Sequence, residues 1–89
     1  MDTKVFAECM KRNMDKHGIT TAVLSDMTGI PIARLVELES GGDKPKSKEL
    51  HAISAVIKVP SLILMKGGGK VHYLELDDNG KKVSRWAEY

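Results

Sequence analysis

Three histidines, one cysteine and a few clustered carboxylates are the side chains of this 89-residue sequence with the chemistry to hold a metal or move a proton. His17, His51 and His72 stand far apart with no second ligand at metal spacing, and Cys9 has no partner thiol. Neither a metal site nor an internal disulfide is expected from that pattern. Gly67-Gly68-Gly69-Lys70 has the outline of a phosphate loop, but it lacks the earlier glycine and the following Ser or Thr, and it precedes a strand. A hinge is the simpler reading. Asp77-Asp78 fall at a turn, where carboxylates cap backbone amides more often than they transfer protons. With no nucleophile beside a base, the residues imply neither an enzyme nor a cofactor.

Non-covalent chemistry remains. Thr20 and Thr21 stand where a helix begins, so their hydroxyls and the free amides there suit a phosphate. Lys44, Lys46 and Lys48 alternate along a polar loop, and Arg34 lies three residues before Glu37. Arg34 either reaches a base edge or phosphate, or pairs with Glu37 on the same helix face.

The elements that must carry these groups read as short helices with clear stops. The first runs from Thr3 to Lys16, with Phe6 and Met10 on its buried face and Gly18 as its stop. Thr20 caps a second, in which Val23, Leu24 and Met27 form the apolar stripe before Gly29. Pro31 opens a third, with Leu35 and Leu38 facing inward and Gly41-Gly42 ending it. Ser47 caps a fourth, where Leu50, Ile53 and Ile57 recur on one face, and Pro60 follows it. Ser61 starts a last turn carrying Leu62 to Met65. Met10, Met14, Met27 and Met65 read as core filler.

After Gly67 the helical period is lost. Asn79-Gly80 suits a two-residue type I′ turn, because both positions of that turn need positive φ. Folding about it sets Asp78 beside Lys81, Asp77 beside Lys82, Leu76 beside Val83, Leu74 beside Arg85 and Tyr73 beside Trp86. The expected organisation is a helical domain over 1–66, then a glycine hinge and antiparallel β-hairpin over 67–89. A lone hairpin is marginal in water, and Val71, Tyr73, Leu74, Leu76, Val83 and Trp86 place apolar surface on both of its faces. That surface needs a cover, either the hairpin of a second copy or helix 1 or helix 5 of its own chain.

Two short helices about a glycine-bearing turn, braced by helices before and after, follow the helix-turn-helix plan. From Gly18 to Met65 the chain resembles the lambda-repressor-like (Xre, Cro-CI type) helix-turn-helix domain. The matching residues are Gly18-Ile19-Thr20, Leu24, Gly29-Ile30, Leu35, Leu38-Glu39, Gly41, Pro45, Leu50, Ile53, Val59 and Leu62 to Met65. The resemblance implies a mostly α fold, five helices with the C-terminal hairpin appended. It further implies a third helix lying in the major groove of double-stranded DNA. Carried over by position, Ile32, Ala33 and Glu37 would read bases, with Thr21 helping, and Pro31 stands where a Ser or Thr cap is usual. Lys44, Lys46 and Lys48 would follow the backbone. Ile32 and Ala33 can meet thymine methyls, and Glu37 can accept from a cytosine amino group.

The implied function is that of a phage- or plasmid-style transcriptional repressor, a homodimer that covers a promoter with recognition helices about 34 Å apart. Composition neither demands nor forbids this. Residues 1–66 hold ten Lys or Arg against eight Asp or Glu, and residues 67–89 hold four against four, far from the strong basicity that marks many nucleic-acid binders. Residues Met1 to Lys4 lead into mixed polar sequence without a signal-peptide layout, and no apolar run is long enough to span a membrane, so a cytoplasmic location is expected. The low charge and apolar third helix equally suit a protein-binding module on the same scaffold, such as an antitoxin or anti-defence adaptor.

Overall fold

The computed structural model describes residues 1–89 as five helices followed by one hairpin. The helices are α1 (Thr3–Lys16), α2 (Thr21–Thr28), α3 (Ile32–Glu39), α4 (Ser47–Ile57) and α5 (Ser61–Met65); the strands are β1 (Lys70–Leu76) and β2 (Lys82–Glu88). Helix α1 begins where the Asp2 carboxylate accepts from the Lys4 and Val5 amides, a cap that answers two of the first turn's unpaired donors. Its buried face extends past Phe6 and Met10 to Cys9, Asn13 and Met14. Asn13 is a buried amide, and its Nδ2 donates to the Cys9 carbonyl one turn back. Burial pushes the Cys9 thiol pKa up.

Helix α2 has the expected Thr20 cap, which accepts from the Val23 amide, and the expected Gly29 stop in the left-handed region. The apolar stripe expected within it does not form. Only Leu24 is buried; Val23 and Met27 are 43% and 62% exposed. The strip of α2 turned to α3 and α4 is narrow and is filled by Leu24, and Val23 and Met27 lie off it. Two cap positions also differ from expectation. Pro31 is not the first residue of α3 but its cap, the place the family resemblance gives it, with an extended ψ of 143°. Ser47 is the first residue of α4, whose cap is Lys46, and the Lys46 amide donates to Glu49 three residues on.

Phe6, Met10, Leu24, Leu35, Leu38, Ile53, Ile57 and Leu64 are each fully buried and form the centre of a single core. Burial of one such side chain contributes about 1.5–3 kcal/mol. In α5 only Leu64 is buried; Leu62 is exposed, and so is Met65, contrary to the core role expected of it and of Met27.

The hairpin stands off this core. Neither strand packs against a helix, and the molecule is drawn out to 48 × 26 × 21 Å. The fold-back of its apolar surface onto α1 or α5 therefore does not occur. Contact with the body is confined to the root. There Gly69 and Tyr89 exchange backbone hydrogen bonds, and Arg12 Nη2 donates to the carbonyls of Gly67 and Tyr89. The glycines are fitted to this junction. A Cβ at Gly67 would lie 1.7 Å from Val5 Cγ1, and one at Gly68 would lie 2.3 Å from the Tyr89 carbonyl oxygen.

The hairpin register is one residue away from the expected one. Leu76 pairs with Lys82, Glu75 with Val83, Leu74 with Ser84, Tyr73 with Arg85 and His72 with Trp86. The turn spans Asp78-Asn79-Gly80, closed by Asp77 N–H to Lys81 O and Gly80 N–H to Asp77 O, with only Gly80 at positive φ. The cause is the Asp77 carboxylate, which accepts from the amides of Asn79 and Lys81. That holds Asn79 at negative φ and selects a three-residue loop with a glycine bulge over the type I′ turn. Trp86 consequently meets His72, ring centroids 5.0 Å apart, and not Tyr73.

Candidate nucleic-acid interface

A chain reversal at Gly29 and Ile30 sets α2 and α3 against each other. Ser25 Oγ donates to the Ile30 carbonyl and Thr28 Oγ1 accepts from the Ile30 amide, so the turn is fixed from the helix it leaves. The inward stripe of α3, Leu35 and Leu38, anchors it to the core, as its spacing requires. Residues before and between those anchors therefore face solvent. Ile32, Ala33, Val36 and Glu37 are all exposed, with Ile32 at 51% and Val36 at 54%. No side chain caps α3, so the amides of its first turn are open donors. At α2, Thr20 takes the Val23 amide and leaves those of Thr21 and Ala22 open.

Thr21, Arg34 and Glu37, all singled out in the sequence, are engaged within the protein. The Thr21 hydroxyl, half-buried, contacts both Glu39 carboxylate oxygens at 2.8 and 3.1 Å, which fixes the start of α2 to the end of α3. Its donor is spent there, and what it can still offer a phosphate is its backbone amide.

Arg34 is more heavily committed. Its Nε and Nη2 grip the two oxygens of Glu49 at 2.9 Å each, Nη1 reaches Asp43 at 2.8 Å and also pairs with Glu37, and Nη2 donates to the Lys44 carbonyl at 3.1 Å. Those are five contacts for the five N–H donors of a guanidinium. The pairing with Glu37 is the local one legible in the sequence; those with Asp43 and Glu49 are not, because they join the helix to a loop and to α4. The hydrogen bonds from Arg34 hold the Asp43 and Glu49 carboxyls below their usual pKa, and the three acids raise that of Arg34. Arg34 works as the strut of the loop after α3.

Lys44 lies in that loop, Lys46 caps α4 and Lys48 is in the first turn of α4. Lys44, Lys46 and Lys48 are exposed, with no acidic partner within ion-pair distance. Arg34 offsets one of the three negative charges that Glu37, Asp43 and Glu49 place beside them. The surface combines open helix starts, exposed apolar residues Ile32, Ala33 and Val36, and the flanking lysines.

Comparison with known proteins gives the fold. Two crystal structures of the clp gene regulator ClgR from Corynebacterium glutamicum are similar to this chain. One superposes with a TM-score of 0.68 at 15% identity over 75% of this chain and 71% of ClgR. The other gives 0.66 at 15% identity, over 75% and 87%. No family model and no curated protein matches the sequence. At that identity the likeness lies in the backbone and not in the side chains that would touch a ligand. No helix is long and apolar enough to cross a membrane.

Proposed function

We propose that this chain is a DNA-binding transcriptional regulator of the lambda-repressor-like type, a homodimer that acts by covering a promoter. The observation that carries the reading is the disposition of α3. Its two anchors are buried, its first turn is uncapped, and its exposed residues lie beside a lysine loop braced by Arg34. A helix so placed can enter a major groove while its neighbours meet phosphates. Ile32 and Ala33 supply apolar contacts for thymine methyls, Glu37 offers a cytosine amino group the carboxylate oxygen that Arg34 does not hold, and the open amides of α2 take a phosphate. The fold shared with the clp gene regulator ClgR supports this assignment.

A second reading is favoured by one observation. Val23, Met27, Ile32 and Val36 are all exposed on the two helices of the motif, and exposed apolar surface of that kind also suits a protein partner. Selection of random duplex DNA on the full chain separates the two. The regulator reading expects an enriched inverted repeat with thymine-rich half-sites about one helical turn apart. Recovery of no motif at low salt overturns it and leaves the protein-binding module.

A further inference from the structure

Both edges of a two-stranded sheet are free, and in this hairpin the two edges differ in kind. Opposed residues of an antiparallel ladder alternate between hydrogen-bonded and non-bonded pairs. Gly69 and Tyr89 are a bonded pair, and the Asp77 amide donates to Lys81. The hairpin's internal bonds therefore run through its odd-numbered residues. The amides of Lys70, His72, Leu74 and Leu76 point out from β1, and those of Lys82, Ser84, Trp86 and Glu88 point out from β2. Edges that must stay unpaired are commonly blunted by charge. Strand β2 is so blunted, with Lys82, Arg85 and Glu88 at its start, middle and end. Strand β1 has Lys70, His72 and Glu75 but otherwise offers Val71, Tyr73, Leu74 and Leu76, of which Leu74 and Leu76 are 58% and 67% exposed.

We propose that two copies of this chain join through β1, antiparallel about a two-fold axis at Tyr73, forming a four-stranded sheet in the order β2-β1-β1-β2. The proposal rests on the homodimer reading above and specifies its interface. The register that uses all seven residues of β1 sets Lys70 opposite Leu76 of the second copy, Val71 opposite Glu75, His72 opposite Leu74, and Tyr73 opposite its own counterpart. The outward amides coincide in the His72–Leu74 and Lys70–Leu76 pairs, as a ladder requires. No like charges face each other, and each Lys70 comes beside the Asp77-Asp78 turn of the other copy. The corresponding full register at β2 matches Lys82 with Glu88 but sets Arg85 against Arg85, and like charges directly opposite are destabilising.

Cysteine cross-linking in the full chain tests the edge. A non-bonded pair on the axis has Cα atoms about 4.5 Å apart, within the roughly 4.4–6.8 Å that a disulfide spans. Tyr73→Cys should become a covalent dimer on mild oxidation, whereas Arg85→Cys and the unsubstituted chain, whose Cys9 is buried, should not. Light scattering before oxidation reads the oligomeric state independently. A dimer that cross-links through Arg85→Cys, through both variants equally, or through neither overturns the β1 edge while the homodimer stands. A 9.8 kDa monomer at every concentration overturns both. Proline variants add a second readout, since proline is tolerated where the lost amide faces away from the ladder. Leu74→Pro should give a monomer with unchanged helical circular dichroism, and Ser84→Pro should remain dimeric; a dimeric Leu74→Pro overturns the proposal.

Discussion

The helical body contains every buried residue of the chain, between Phe6 and Leu64, while the hairpin contains none and yet carries Tyr73, Leu74, Leu76 and Trp86 as exposed large apolar side chains. The body is ordered by burial. The hairpin is ordered by a turn that Asp77 dictates and by a clip at its root, where Gly67, Gly69, Tyr89 and Arg12 meet. The contrast extends to where apolar exposure lies: on α2 and α3 it sits on helices anchored to the core, and on the hairpin it sits on a two-stranded sheet with open edges.

The largest effect that separates the regions is core truncation. Leu38→Ala or Ile53→Ala should cost about 2–5 kcal/mol in denaturant unfolding, whereas Leu76→Ala, measured on dilute protein, should stay within about 0.5 kcal/mol. A comparable loss from Leu76→Ala would mean that the hairpin belongs to the core's cooperative unit. Next is the junction. Gly67→Ala should destabilise by about 1–3 kcal/mol, since it needs positive φ and meets Val5. Gly69→Ala, with open space around it, should cost less, and equal costs would show strain alone to be responsible.

Asp77→Ala should loosen the hairpin by about 1 kcal/mol, the ordinary net value of a hydrogen bond. The readout is faster amide exchange in β1 and β2, with helix unfolding unchanged. The smallest effect concerns Arg34, whose ion pairs are near the surface and screened. Asp43 and Glu49 have depressed carboxyl pKa values in the folded state, so their contribution is present above the ordinary carboxylate range and is lost as pH falls through the depressed values. In Arg34→Gln that acid-dependent loss should vanish from thermal unfolding profiles taken between neutral pH and pH about 3. Its persistence would assign the acid sensitivity to other groups.

Much of the body was legible because its signals are local. The span of α1, the Thr20 cap, the Gly29 stop and the inward positions Leu35, Leu38, Leu50, Ile53 and Ile57 follow from spacing and from residues within one turn of each other. The site was legible only as positions. Spacing cannot tell an apolar side chain that is buried from one left outside, so Val23 and Met27 read as core. The commitment of Arg34 depends on Asp43 and Glu49, nine and fifteen residues away, and that of Thr21 on Glu39, eighteen away. The hairpin register was missed for another reason. Asn79-Gly80 is a strong turn signal, but a carboxylate two residues earlier competes for the same amides and shifts the loop by one residue, which re-pairs every cross-strand neighbour.

The most direct test of the central claim is a titration of a fluorescent duplex, carrying the enriched site if selection yields one, with the full chain at about 50 and 200 mM salt. If α3 and the lysine loop lie on DNA, affinity falls steeply between those conditions, and it falls less steeply once Lys44, Lys46 and Lys48 are replaced by alanine. Ile32→Asp then weakens binding at both. Failure to bind duplex at low salt, or an affinity that salt and the lysine substitutions leave unchanged, would contradict the account.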